Sequence, residues 1–427
     1  MKRSLWPPIF RALPIVGIGF ASSLGLGSSA GAGPPDYQAW SGHPGPDAEV
    51  RFEFGPPHLI VSLKTDDTGI YAPHAFRASD GAIFLGYYTY PDGWSPDPFP
   101  AALIRSVDNG VTWRSLGERG NLGYLFGEQA DRAVLAVDCS WVRDDKGEPI
   151  YTAQSFASGQ SSEPVLVKVR VHGFPKGLEP YFHLTRMVRT KNGSLVTVAF
   201  TAAAGATHAM WWDPKAPPVP WRIACLASED EGRNWRLLSY VDPGIRTPGE
   251  PPDQSRPCEP FVAALRDGRL LCIYRIQLAH GLGEMLQSWS SDGGATWTAP
   301  VSSGVVGVDP CLLQLDDGLL LCAFGRPNVR LMYSLDGGGH WLGHTTIYAY
   351  GRKPPPAGKG DPRGERYPDS HAYTSIVALS PDTILYFFDI HQHRVPWTGL
   401  LPTDAARIED RTNSIFAVQI KIIRHEH

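Results

Sequence analysis

Three histidines, a tyrosine and an arginine are spaced along the chain in a way that could serve proton transfer on a glycan. His74, His183 and His371 each stand at or near the start of a strand-like run. A neutral imidazole accepts a proton near neutral pH, as β-elimination from a uronic-acid polymer requires. Tyr373 could then protonate the leaving oxygen, and Arg275 could neutralise the uronate carboxylate. Three carboxylates, Asp138, Glu259 and Asp309, stand at comparable strand starts and complete a candidate polar ring. Arg326, in Phe324-Gly325-Arg326-Pro327-Asn328, adds an anion contact, and the loop Tyr90–Pro98 carries Asp92 and Asp97. Each residue also has an ordinary reading. Polar strand starts face water, Glu259 can form a rim salt bridge, Tyr373 can pack in a strand, and Pro-Asp-Gly is a natural turn. The histidines lack the compact spacing of a zinc site, so a metal stays an open question.

Residues so far apart can meet only if the fold brings many strand starts to one place. A short element occurs four times at widely spaced positions. It reads Ser106-x-Asp108-x-Gly110-x-Thr112-Trp113, then Ser228-x-Asp230-x-Gly232-x-x-Trp235, Ser290-x-Asp292-x-Gly294-x-Thr296-Trp297 and Ser334-x-Asp336-x-Gly338-x-x-Trp341. Asp and Gly favour turns, and four copies with the same offsets point to a repeated blade. Strand-turn-strand passages support this independently, with Asp267-Gly268 and Asp317-Gly318 between apolar runs. Weaker copies turn at Asp80-Gly81, Lys146-Gly147, Asn192-Gly193 and Pro381-Asp382. The inferred blades therefore start near His74, Asp138, His183, Glu259, Asp309 and His371. Together they predict an all-β, six-bladed β-propeller over 46–427, with seven blades as the alternative count. A strand within residues 50–63 is expected to complete the last blade beside 414–423.

The four elements resemble the Asp-box, or BNR, repeats of sialidase-like proteins. That resemblance implies a propeller with each box on a hairpin joining the outer strands of a blade, away from the catalytic mouth. Cys258-Glu259-Pro260-Phe261-Val262 through Asp267-Gly268-Arg269-Leu270-Leu271 and Arg275 is similar to the segment that supplies an assisting Glu and a carboxylate-binding Arg in many sialidases. Ala372-Tyr373-Thr374-Ser375-Ile376 resembles the strand that supplies the sialidase nucleophile. The resemblance implies Tyr373 as nucleophile, Glu259 as its assisting base, Arg275 as anion binder and an aspartate from the first half, here Asp97, as acid. The first-blade Arg-Ile-Pro signature is interrupted, because Tyr71-Ala72-Pro73-His74 places Ala72 where the arginine is expected. The leading expectation is a terminal-sugar exo-glycosidase that requires no cofactor, its glycan substrate including acidic sugars. A uronate-cleaving lyase and a noncatalytic glycan-binding propeller are the alternatives.

Residues 1–30 resemble a secretion signal, with Lys2, Arg3 and Arg11 near the start, an apolar Leu13–Leu26 and Ser28-Ser29-Ala30 as a cleavage region. The expected mature chain begins with a flexible 31–45, and its expected location is secreted or periplasmic. The apolar stretch is too short and glycine-rich for a stable membrane span. The formal charge is −4, and removing 1–30 takes away basic residues only. That balance offers no global attraction to nucleic acid. The 6 cysteines contain no Cys-x-x-Cys pair; buried thiols are expected. No Gly-rich phosphate loop, His-Glu-x-x-His motif or serine-hydrolase elbow occurs in a suitable context.

Overall fold

The Gly- and Pro-rich composition resolves into strands joined by turns. In the computed structural model, every regular element among the described residues is a β-strand. The described residues are 49–63, 70–89, 101–116, 122–145, 147–158, 164–203, 221–244, 255–278, 281–326, 328–348, 373–390 and 413–424. They lie within one compact unit, Gln38–His427. Among them no helix is long and apolar enough to cross a membrane.

The strands form five hydrogen-bonded sheets. The first runs Tyr71–Arg77, Ile83–Tyr88, Ala101–Ser106 and Arg114–Ser115. The second has ten strands and two antiparallel halves. One half is Leu122–Glu128, Val134–Arg143, Pro149–Phe156 and Val165–His172. The other has Leu178–Tyr181 and Val188–Arg189 on Leu195–Ala203, then Arg222–Ser228 and Asn234–Asp242; the tenth strand, Thr185–Arg186, pairs parallel with Leu122–Glu128. A short parallel ladder, Arg170 opposite Asn234 through His172 opposite Arg236, joins the halves. Ser255–Ala264, Leu270–Leu278, Glu284–Ser290 and Val301–Val306, with the short Gly281–Leu282 on Leu270–Leu278, make the third sheet, and Val308–Gln314, Leu320–Gly325, Val329–Ser334 and Leu342–Tyr348 the fourth. The fifth joins the chain's distant ends. Thr374–Ser380, Thr383–Ile390 and Asn413–Arg424 run antiparallel, and both Val50–Phe54 and His58–Leu63 pair with Asn413–Arg424. The strand expected within 50–63 is therefore present and does close this sheet.

Burial explains the stacking. Ile83–Tyr88, Leu320–Gly325 and Val329–Ser334 are buried at every position, as central strands are when both sheet faces are covered. The outer strand Val165–His172 instead alternates toward its end. Apolar clusters sit between neighbouring sheets. Phe84 meets Phe126 and Val134, Leu85 meets Phe387 and Ile415, and Leu271 shares a core with Leu321 and Ile384. The first strands also touch in a closed order. Tyr71–Arg77 lies against Leu122–Glu128, which pairs with Thr185–Arg186; the order continues through Ser255–Ala264, Val308–Gln314 and Thr374–Ser380 back to Tyr71–Arg77. This all-β, multi-sheet arrangement is consistent with a β-propeller.

One expected boundary differs. The Asp138 segment belongs to the second strand of its half-sheet, behind Leu122–Glu128. The turn before it is Gln129–Arg132, closed by the Arg132 amide donating to the Gln129 carbonyl. The left-handed residue there is Arg132, at φ 65°, whereas the equivalent turns use Gly81, Gly193, Gly268 and Gly318. Without glycine the turn carried no punctuation in the sequence, and the next hairpin, with Gly147, stood out instead.

Each Asp box is a hydrogen-bond knot with a local Ser–Asp–Gly core, on the hairpin between the third and fourth strands of its group. In the first, the Ser106 hydroxyl donates to Asp108 Oδ1 at 2.8 Å and accepts from the Gly110 amide at 2.9 Å. Asp108 also accepts from the Thr112 amide at 2.9 Å and hydroxyl at 2.6 Å, and Trp113 Nε1 donates to the Gly110 carbonyl at 3.0 Å. The Ser–Asp–Gly core recurs around Asp230, Asp292 and Asp336. In the last box Trp341 turns to Gln287 Oε1 at 2.9 Å. The Thr112 hydroxyl and amide, with Ser106, bring Asp108 down from 3.8 to about 2. Burial opposes the shift at Asp336, but hydrogen bonds from His340 and Ser334 carry it to about 2 as well. Folded values below the unfolded value give stability that is complete above about pH 4 and lost as pH falls toward about 2. The melting temperature should fall across that window, and less steeply for an Asp108→Asn, Asp336→Asn double variant. Superimposable wild-type and variant profiles would contradict this account.

Candidate active site

Three of the first strands share a local irregularity. Ala72, Glu259 and Asp309 have φ of 55°, 49° and 47°, and each precedes a proline. The ladder slips at the same places, between Tyr71 and His74, Cys258 and Phe261, and Val308 and Cys311. A left-handed residue at a bulge re-aims its side chain, and Pro tolerates the lost ladder bond. Leu184 has φ 44° just before Thr185–Arg186. The repeat therefore offers equivalent positions, two of which carry carboxylates.

Glu259 is the hub. Its Oε1 accepts from Arg275 Nη1 at 2.8 Å and from the Tyr373 hydroxyl at 3.0 Å. Its Oε2 accepts from the Asp309 amide at 2.9 Å. All three contacts suit the ionised form. Burial pushes its pKa up, but Arg275, His183, Arg326 and the Asp309 amide together hold it below the ordinary carboxyl value. Arg275 is buried and also donates to Gln277.

Tyr373 is half-buried beside the apolar group Tyr71, Ala72, Tyr88, Ala101 and Leu184. The Arg326 guanidinium lies 5.6 Å from its ring centroid, and the His183 ring meets it edge-on at 5.8 Å. Burial and the Glu259 charge raise its pKa well above 10, with Arg326 and Arg275 opposing. The phenol is therefore protonated at rest and donates to a base.

Asp309 adjoins Glu259 through its own amide. Its Oδ1 is 3.8 Å from His183 Nε2, and its Oδ2 accepts from the Thr374 amide at 3.4 Å. Burial and the Glu259 charge raise its pKa well above the ordinary carboxyl value. Two neighbouring buried carboxyls do not both ionise easily, and here the cations face Glu259.

Six expected residues thus come together: Glu259, Arg275, Tyr373, Arg326, Asp309 and His183. His74 is buried with its ring 5.0 Å from Phe126, two residues past the Ala72 bulge. Asp138 is buried opposite Leu122, on the second strand of its half-sheet. Asp97, Asp92 and His371 lie outside the described residues. Two charged residues went unnoticed in the sequence. Asp389 is buried and accepts from the Ala72 amide at 3.0 Å. Arg186 donates to the carbonyls of Ala75 at 2.8 Å and Ile376 at 2.6 Å, and its guanidinium lies 5.3 Å from the Phe261 ring centroid. Its position two residues after left-handed Leu184, like that of Phe261 after Glu259 and Cys311 after Asp309, shows only in the structure. Among the described residues no group of three His, Cys, Asp or Glu side chains could hold a metal ion.

The profile of the BNR repeat-like domain matches residues 123–374. The chain belongs to this BNR repeat-like family. Solved structures similar to this BNR-repeat chain include a Dyadobacter fermentans protein of unknown function, 14% identical with a TM-score of 0.58, covering 87% of this chain and 99% of that one. A Penicillium chrysogenum α-L-arabinanase complexed with arabinobiose is 15% identical, with a TM-score of 0.54 and coverage of 86% and 98%. The Hadza microbial sialidase Hz136 is 14% identical with a TM-score of 0.51, and the match covers 83% of this chain and 66% of the sialidase. At such identities the likeness is one of fold. No curated protein sequence matches the chain.

Proposed function

We propose that this BNR-repeat protein is a six-bladed propeller that hydrolyses a terminal glycosidic bond outside the cytoplasm, retaining anomeric configuration. The closed order of first strands supports six blades, with the halves of the ten-stranded sheet counted separately. One observation carries the activity: the Tyr373 hydroxyl donates to Glu259 Oε1 at 3.0 Å while Arg275 holds the same oxygen at 2.8 Å. This pairs a weak nucleophile with a positioned base, the arrangement that activates a hydroxyl for covalent catalysis. The phenolate does not pre-exist, so the proton moves to Glu259 as the Tyr373 oxygen approaches the anomeric carbon. Arg275 keeps Glu259 ionised and oriented, which lowers the reorganisation needed at that moment. Arg326 beside the nucleophile is suited to an electron-rich part of the sugar, including a carboxylate. The arabinanase and sialidase among the similar structures set the first substrates to try.

His183, beside both Asp309 and Tyr373, supports the second reading of uronate elimination, with His183 as base. The two readings differ in product. Hydrolysis of α-L-arabinofuranosides, sialosides and other exo-glycosides, followed by proton NMR, should release a free sugar whose first-formed anomer matches the substrate. An unsaturated uronate from acidic polymers would favour elimination. Binding without any cleavage by folded protein would sink the enzyme reading and leave a glycan-binding propeller.

A further inference from the structure

We propose that Asp309 is the proton donor to the leaving glycosidic oxygen, sharing with Glu259 the acid and base halves of the reaction. This rests on the glycosidase reading above. The two carboxyls occupy equivalent left-handed, pre-proline bulges on adjacent sheets, so the repeat itself delivers both to one place. Their surroundings are not equivalent. Glu259 receives the Arg275 guanidinium, the Tyr373 hydroxyl and a backbone amide. Asp309 has the Thr374 amide at 3.4 Å and His183 Nε2 at 3.8 Å, and no arginine within salt-bridge distance among the described residues. Charged and titratable groups face Asp309 from each neighbouring element: Glu259 and Arg275 from the third sheet, Asp389 from the fifth, His183 from the segment before Thr185, Cys311 on its own strand, and Tyr373. Glu259 and Asp389 both disfavour a second anion there, and Arg275 only partly opposes them. Paired carboxyls whose environments push their proton affinities apart provide an acid and a base at one pH.

The reaction balances with these groups. The Tyr373 oxygen bonds to the anomeric carbon as its proton passes to Glu259. The bond from that carbon to the leaving oxygen breaks, and the Asp309 proton goes to that oxygen. In the second half, water attacks the same carbon and gives its proton to the Asp309 carboxylate. Tyr373 leaves and recovers its proton from Glu259.

A donor matters only when the leaving group needs a proton. Methyl and 2,4-dinitrophenyl glycosides of α-L-arabinofuranose and of N-acetylneuraminic acid provide the contrast. Asp309→Asn should lower kcat/KM for the methyl glycoside by roughly 10²–10⁴-fold, yet lower kcat/KM for the dinitrophenyl glycoside, which reports the first half alone, by less than about 10-fold on the same reasoning. The wild-type protein alone tests the same point, whatever the variant's folding. Its kcat/KM should fall on the alkaline side for the methyl substrate, where Asp309 loses its proton, and stay flat there for the dinitrophenyl one. Equal losses on both substrates, or the same alkaline limb for both, would overturn the assignment while leaving the glycosidase reading intact. If folded wild-type protein cleaves neither kind of substrate, the glycosidase reading fails and Asp309 with it.

Discussion

Tyr373→Phe should lower turnover on any glycoside the protein hydrolyses by about 10²-fold or more, with little change in thermal stability. The substitution removes one oxygen from a half-buried ring and keeps the ring's contacts with Arg326 and His183. The lost atom is the one that donates to Glu259 at 3.0 Å. Glu259→Gln should depress turnover comparably, because the amide cannot accept the Tyr373 proton as a base. It should also lower the melting temperature. Buried Arg275 loses its countercharge, and stripping one partner from a buried ion pair typically costs about 3–5 kcal/mol. Circular dichroism and thermal melts measured beside the kinetics separate the two effects. Normal turnover in both folded variants would remove Tyr373 and Glu259 from the mechanism.

Trp235→Ala should be the most damaging single change in an Asp box, destabilising the fold by about 3–5 kcal/mol. Trp235 is fully buried, packs with Leu135, Met187 and Leu226, and donates to the Gly232 carbonyl at 2.9 Å. Alanine leaves a cavity between two sheet faces and an unmet carbonyl in one step. Trp113 has the same bond but is only partly buried, against Phe387. Trp113→Ala should therefore cost distinctly less. Urea denaturation of the two variants side by side measures the difference. Equal losses would mean that the box hydrogen bond, rather than burial, sets the tryptophan's contribution.

The acid tolerance of the boxes and the chemistry of the site draw on opposite physical situations. Asp108 titrates low because local hydroxyl and amide donors reach it in an exposed turn. Asp309 titrates high because burial and a carboxylate 50 residues away in sequence act on it. The first situation repeats wherever the motif repeats. The second depends on which residues the closed order of strands brings opposite one another.

That difference marks how far the sequence alone reaches. The box offsets were legible because the Ser–Asp–Gly bonds of the knot join residues within four positions, such as Ser106 with Gly110 and Asp108 with Thr112. The hairpins at Gly81, Gly193, Gly268 and Gly318 were legible because glycine marks the left-handed residue of the turn. The turn at Arg132 was not, since a non-glycine residue in that conformation has no local signature. Glu259, Arg275 and Tyr373 stood out through their flanking motifs. Their meeting at one carboxylate oxygen did not, nor did Arg186 and Asp389, whose side chains hydrogen-bond backbone groups more than a hundred residues away in sequence. The sequence by itself determined the repeating hairpin and the residue types that the repeat can present. Only the tertiary structure decided which of those residues share a site and which carboxyl keeps its proton, because burial and charge act through space between strands that the chain order does not place together.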